Sequence, residues 1–379
     1  MRKLVTHRVI SEIKEHPNAD KLELAIVDGW QCVVKKGEFQ KGDSCCYFEI
    51  DSFLPMDDDR FVFLSSRGTK TDEAGQERFR LRTVKLRKEL SQGLVLPWSD
   101  FPEFHERDLS NVDMAEELNV IKFERPETKV TNAAGYFPDC IKKTDEERVQ
   151  NIYEKYKKEY YKDYFVPTLK LDGSSCTVAF LSESQSSYWK NDDIDDSNAI
   201  DVIEQGQKIG EIIVCSRNLQ LKVDDNSHFW NAAYNSGAIN ALIDYAKYYH
   251  YIIKATNYSI ASIAIQGEVI GPDIQDNKEK LNRHKFYVFN IFDISQQEYL
   301  AWDNVEMFST LYSLKCVPVV GNKTAKPFQD FKDLKDLLEF SDGPSLNAKR
   351  REGIVWKHAT KGDVSFKAIS NQWLIKEEE

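Results

Sequence analysis

The chain has 379 residues, 41% hydrophobic and 30% charged, enough for two domains with separate cores and ordinary for a soluble globular protein. A formal charge of −11 excludes a surface that is basic throughout, so a polyanion would have to be met by a local patch. No apolar run is long enough to span a bilayer, and Met1–Ile10 has neither the apolar core nor the cleavage site of a signal peptide, so a reducing cytoplasm or nucleus is expected.

Residues up to about Glu124 read as all-β, with predicted strands over Val5–Ile13, Leu22–Val27, Gln31–Lys35, Ser44–Ile50, Arg78–Leu86 and Gly93–Leu96 between Pro, Gly, Asn and Asp turn signals. Five or so short strands in that length fit a small barrel. Met114–Leu118 predicts a short closing helix, and Arg125–Gly135 a linker. Within the barrel, period-two alternation puts Arg78, Arg80 and Arg82 on one strand face, and a bulge near Thr83–Val84 would let Lys85 and Arg87 rejoin it. That face reads either as a phosphate-binding strip or as an ordinary solvated surface.

The remainder mixes strands with helices. Helices are predicted over Tyr153–Tyr161, over Phe229–Tyr251 with a break at Gly237, and around Phe331, Leu334, Leu337 and Leu338. Ser182–Ile200 reads as a mobile acidic hairpin loop, and its Asp192–Asp196 together with Glu377–Glu379 carries much of the excess acid. Seven cysteines without a C-x-x-C pair read as reduced structural thiols, and seven scattered histidines give no zinc spacing.

Lys170-Leu171-Asp172-Gly173 places a lysine and an aspartate two residues apart before a glycine in a β-rich run. A lysine attacks only as the neutral amine, so a catalytic Lys170 is expected to have its pKa lowered by burial or by neighbouring cations. Alone, the pattern also fits a surface lysine before an Asp-Gly turn. Further short polar signals follow in order within apolar strands: Cys215-Ser216-Arg217-Asn218, Gln266-Gly267-Glu268, Phe286–Asn290, Glu352-Gly353-Ile354-Val355-Trp356-Lys357 and Ser365-Phe366-Lys367.

This ordered set resembles the motifs of the covalent nucleotidyltransferases, the superfamily of DNA ligases, RNA ligases and mRNA-capping enzymes. Within it the chain most resembles the ATP-dependent RNA ligases with an N-terminal OB domain, the fifth RNA ligase family. Lys143–Asn151 resembles that family's lead-in to the catalytic domain, and His16–Leu22 and Tyr47–Ser52 its OB module. The resemblance implies an α+β chain: an OB-like β-barrel over residues 1–125, then over 126–379 a mixed α/β, ATP-grasp-like nucleotidyltransferase domain built on antiparallel sheets.

It implies an enzyme that seals RNA bearing 3′-OH and 5′-phosphate ends, expected in a nicked duplex, through lysyl-AMP and an adenylylated 5′ end. Lys170 would be the nucleophile, and Asp172, Glu268 and Glu352 would hold Mg²⁺, or Mn²⁺ in its place, through its water shell. Lys367 would stabilise the α-phosphate with Lys357 assisting, Phe289 would stack on adenine, Arg148 would reach the triphosphate, and Leu169 and Gly173 would line the ATP pocket. Ser216 and Arg217 would face the ribose or the RNA 3′ end. Ser365 and Ser175 depart from the family pattern, which carries basic or amide side chains there. A monomer without a protein or membrane partner is expected. The rival readings are a DNA ligase, a capping-type guanylyltransferase and a non-catalytic OB-fold nucleic-acid binder.

Overall fold

Strand β1 (Val5–Glu15) is long enough to serve two neighbours, and a register irregularity between Ile10 and Glu12 redirects it from one to the other. The computed structural model describes residues 2–376 except 73, 110–111, 125–131, 189–197 and 257–259. Two compact units emerge. The first comprises Met1–Glu127, Glu147–Lys158 and Asn371–Glu379, and the second comprises Thr128–Glu146 and Glu159–Ser370.

In the first unit, β2 (Leu22–Val27), β3 (Trp30–Lys35) and β4 (Ser44–Phe48) join β1, with β10 (Leu94–Pro97) at the edge, in the order β10-β4-β1-β2-β3. A second sheet holds β5 (Ser52–Pro55), β6 (Lys70–Thr71), β7 (Glu77–Arg80) and β11 (Ile121–Lys122), while β8 (Val84–Leu86) and β9 (Glu89–Ser91) form a separate hairpin. Val5, Phe48, Leu54, Phe61, Phe79, Phe101 and Met114 fill the core between the sheets. This is an OB-like barrel. The predicted helix at Met114–Leu118 is a single turn, closed by the Leu118 amide donating to the Met114 carbonyl at 3.2 Å.

Two sequence expectations are corrected here. The predicted strand Arg78–Leu86 is two strands in different sheets. Arg78 is buried and donates to Asp72 at 2.6 Å and to the Asn119 carbonyl at 2.7 Å, and Arg80 pairs with Asp51 at 3.0 Å while lying over the Phe123 ring. Both guanidiniums are therefore committed inside the unit and do not form a strip with Arg82, Lys85, Arg87 and Lys88, which are the exposed cations of the run. The second correction concerns helix α1 (Val149–Glu159), which was expected in the catalytic domain. It packs on the barrel through Val149, Gln150 and Tyr153, and Trp30 donates to Asn151 at 2.6 Å. The C-terminal helix Asn371–Lys376 joins this unit as well, with Gln92 donating to Asn371 at 3.1 Å.

The second unit opens with β12 (Ala133–Tyr136) and is built on β13 (Phe165–Lys170), β14 (Ser174–Ser182), β15 (Ile200–Glu204), β16 (Gln207–Cys215), β17 (Leu219–Leu221), β18 (Ile263–Ile270), β19 (Lys285–Asp293), β20 (Glu298–Tyr299), β21 (Gly353–His358) and β22 (Ser365–Ile369). Its large antiparallel sheet runs β12-β17-β16-β14-β18-β19-β20 with β15 on β16, and a three-stranded sheet runs β13-β21-β22. Helices α2 (His228–Ser236) and α3 (Ala238–Thr256) cover one face of the large sheet and meet at Gly237, whose φ of 83° ends the first helix. Phe137, Ile141, Ala264 and Phe292 pack on the other face. Helices α4 (Trp302–Leu311), α5 (Pro327–Asp330) and α6 (Leu334–Phe340) follow. In α6, Leu337 and Leu338 are buried as predicted, whereas Phe331 lies before the helix in extended backbone.

All seven cysteines are free thiols and five are buried. Among the described residues no helix is long and apolar enough to cross a membrane. The expected acidic stretches Asp192–Asp196 and Glu377–Glu379, and residues 125–131 of the expected linker Arg125–Gly135, lie outside the described residues, while the end of that linker is strand, in β12.

Candidate active site

Lys170 is the last residue of β13 in the small sheet, and four residues later the chain enters the large sheet as β14. The turn between them needs glycine at 173, since a Cβ there would stand 2.3 Å from the Val269 carbonyl oxygen. Across the small sheet Lys170 pairs in register with Gly353, and a Cβ at 353 would meet the Ala368 carbonyl at 2.4 Å. Two side-chain-free positions thus let strands from both sheets close around the lysine.

Its Nζ donates to Glu352 Oε2 at 2.7 Å. Glu352 is therefore no surface partner of its neighbour Arg351, whose guanidinium instead donates to the carbonyls of Phe340, Ser341 and Asp342 at the end of α6. Glu268 enters from β18, with its backbone opposite Ser175, and Asp172 accepts from Lys278 at 2.6 Å. Burial alone would lower the Lys170 pKa, but Glu352, Glu268 and Asp172 outweigh it and hold the ammonium above the ordinary lysine value. The expected lowering is therefore corrected for this form of the protein: carboxylates, not cations, surround the amine. The excess acid falls on Glu268, whose carboxyl is pushed up to about 8 by burial, with Glu352 and Asp172 adding to the effect and Lys170 opposing it.

The other two lysines stand on the small sheet. Lys357 lies opposite Ser365 in register, and Lys367 opposite Val355. Lys357 donates to Asn290 Oδ1 at 2.8 Å and pairs with Glu146, which also accepts from the Ser365 hydroxyl; Lys367 pairs with Asp145 at 3.2 Å. Burial would raise the Glu146 carboxyl, yet Lys357 and the hydroxyl hold it below the usual range. Two acids just ahead of α1 thus pair with two buried lysines, and a ligand bearing phosphates would meet their charge only by taking the place of those acids.

Phe289 is half-buried at a β-bulge, where the register slips between Gln266 and Gly267. Such a bulge re-aims a side chain from the regular alternation. Leu169 is buried and donates its amide to the Pro318 carbonyl at 2.7 Å. Ser216 is 1% exposed and its hydroxyl locks the turn to Leu219, with the half-buried Arg217 inside that turn.

The second unit thus gathers Lys170, Asp172, Glu268 and Glu352 in one cluster, with Lys357 and Lys367 on the same small sheet. Arg148 is not part of that unit. It belongs to the barrel, buried against Glu49 and Asp51 and 5.8 Å above the Trp30 ring. Asp51, held low by Arg148, Arg2 and Arg80 against the cost of its burial, is the centre of that network. Sequence reasoning gave no role to Asp145, Glu146, Asn290 or Lys278. The first two were visible as acids beside Arg148, but nothing in the chain signals a lysine at 278 paired with an aspartate 106 residues away.

A family model described as RNA ligase matches residues 163–369, and one described as an OB-fold domain matches residues 4–98. Among solved structures, a Naegleria gruberi RNA ligase with pyrophosphate is similar at 36% identity and a TM-score of 0.80, over 100% of this chain and 99% of that one. A lysine-to-alanine variant of that ligase with ATP and Mn is similar at 36% identity and a TM-score of 0.78, over 100% and 99% of the two chains. A glutamate-to-alanine variant with AMP and Mn gives the same identity, TM-score and coverage. No curated protein matches.

Proposed function

The chain belongs to the RNA ligase family, and from that premise we propose that it seals RNA 3′-OH and 5′-phosphate ends through a lysyl-AMP intermediate made from ATP. The observation that carries the reading is the ion pair of Lys170 and Glu352 at 2.7 Å, with Asp172 and Glu268 beside it.

A 5′-phosphate oxygen is a poor leaving group, so a better one must be installed first. Once Lys170 has lost its proton, its amine attacks the α-phosphorus of ATP, an N–P bond forms, and the P–O bond to pyrophosphate breaks. The AMP then passes to the RNA 5′-phosphate, freeing the lysine, and the 3′-OH displaces AMP to form the phosphodiester. Each step is an in-line displacement in which positioning and charge neutralisation supply most of the acceleration. Lys357 and Lys367 carry positive charge for the phosphates, and Phe289 offers the adenine a stacking face. Arg148 would meet the triphosphate only by exchanging its barrel carboxylates for phosphate.

The donor set fits a divalent cation, because three carboxylates share a pocket in which Glu268 holds a proton up to about pH 8. Asp172, Glu268 and Glu352 would hold Mg²⁺ or Mn²⁺ through its waters, because such an ion parts with its water shell reluctantly. Such an ion supplies positive charge that favours the neutral amine of Lys170 and polarises the phosphates.

The RNA partner, in a nicked duplex, is met by the exposed hairpin β8–β9 with Arg82, Lys85, Arg87 and Lys88, and the protein acts as a monomer. The test is sealing of matched RNA and DNA nicks with ATP and a divalent ion; sealing of RNA supports the reading, and no sealing of either defeats it.

A further inference from the structure

Between β18, which carries Glu268, and β19, which carries Phe289, the chain takes an unusual path. Asp273, Gln275, Asp276, Asn277 and Lys280 all have φ between 44° and 61°, a region that residues with a Cβ avoid. Such a path persists only where its surroundings over-determine it. Ile274 is buried in the core, the Asn277 amide exchanges bonds of 2.9 and 2.8 Å with the Leu281 backbone, and the His284 ring meets the Pro272 carbonyl at 2.8 Å. Glu279, 5% exposed, accepts from the amides of Asn347 and Ala348 at 2.6 and 3.0 Å, and Asn347 returns a side-chain bond to the Glu279 carbonyl.

The outcome of all these ties is the place of one ammonium. Lys278 Nζ stands 2.6 Å from Asp172 Oδ2, with both side chains mostly sheltered from solvent. The acids around the nucleophile are thereby divided: Lys170 has Glu352, Lys278 has Asp172, and Glu268 has no ion pair within 4 Å among the described residues. Asp172 lies two residues from Lys170 in a tight turn, so without Lys278 its carboxylate could turn to the nucleophile as a second acceptor. An arginine could span the same gap and keep the charge, whereas a methionine keeps the length and loses it.

We infer that Lys278 is a positioning residue for self-adenylylation: it fixes the direction of the Asp172 carboxylate and so leaves Lys170 a single partner to release. The inference rests on the ligase reading above. The strained loop then serves to deliver one cation to the Lys170–Gly173 turn.

The full-length protein and its Lys278→Met and Lys278→Arg variants are compared by single-turnover transfer of AMP from ATP and by thermal melting. The methionine variant should transfer AMP at least about tenfold more slowly with a KM for ATP within about twofold of the original, and the arginine variant should recover to within about threefold. Both should melt within a few degrees of the parent chain. AMP transfer at the parent rate in Lys278→Met overturns the inference, as does a rise in KM alone, which would mean that Lys278 touches ATP itself. An arginine variant as slow as the methionine one, with a matching loss of melting temperature, reduces Lys278 to a structural part of the loop and also overturns it. Failure of the parent chain to accept AMP overturns the ligase reading itself, and this inference with it.

Discussion

Lys170 and Glu352 form a 2.7 Å ion pair between their side chains, and backbone pairing sets Lys170 opposite Gly353, the next residue along from Glu352. Sheet pairing of β13 with β21 thus brings the proposed nucleophile and the carboxylate together. The pair holds the amine protonated, so reaction must begin by breaking it.

Glu352→Ala should slow AMP transfer to the protein by roughly 10- to 100-fold, with partial recovery at raised Mg²⁺, because an outer carboxylate contributes orientation as well as affinity. Single-turnover assays over a Mg²⁺ series check this. A parent rate in the variant would remove Glu352 from the site.

The position of Glu268 predicts a dependence of stability on pH. Its carboxyl titrates near 8 in the fold against the ordinary 4.5, so between those values the folded chain keeps a proton that the unfolded chain releases. Stability is therefore lost as pH rises through that window, at up to about 1.4 kcal/mol per pH unit. Glu268→Gln, which cannot ionise, should melt above the parent chain at pH 8 in chelator, and the gap should close toward pH 5. It should also lose most AMP transfer. Melting curves at four or five pH values decide the point, and a gap that is constant with pH would contradict it.

RNA binding is expected at the β8–β9 hairpin. Arg87 and Lys88 form its tip, both with positive φ (49° and 79°), where asparagine and glycine are the usual occupants. Replacing Lys85, Arg87 and Lys88 by Ser should weaken nick sealing while leaving AMP transfer unchanged, and should flatten the salt dependence of RNA binding by roughly 0.9 in log–log slope for each phosphate left without its cation. Arg78→Ala should instead lower the melting temperature, since it removes a buried guanidinium that donates to Asp72 and to the Asn119 carbonyl. Point variants are the right instrument because removal of residues 1–127 would uncover the packed face of α1. Equal loss of AMP transfer and sealing in the hairpin variant would refute the assignment.

The chemistry was more legible in the sequence than its electrostatics. Lys170, Asp172, Glu268, Glu352 and Lys367 were visible because each belongs to a short polar signal in or beside an apolar strand, and the order of those signals along the chain carried the resemblance to nucleotidyltransferase motifs. The raised pKa of Lys170 was not visible, since it depends on acids contributed from positions 172, 268 and 352 and on their distances. Arg78 and Arg80 alternate as a solvent-facing pair would, yet Asp72, Asn119 and Asp51 turn both inward, and no local period reports partners that far apart. The place of Arg148 was hidden for the same reason. The residue follows acids that pair with Lys357 and Lys367, but the chain crosses from one unit to the other between Glu146 and Glu147. The break at Gly237 was legible, because a glycine between two apolar helical stripes is a local stop signal.

The central claim is a covalent bond from Lys170 to AMP, and intact mass after incubation with ATP and Mg²⁺ tests it most directly. The parent chain should gain the mass of one AMP through an acid-labile, alkali-stable bond, and Lys170→Ala, folded and with an unchanged melting profile, should gain none. AMP on the alanine variant at the parent level would contradict the account.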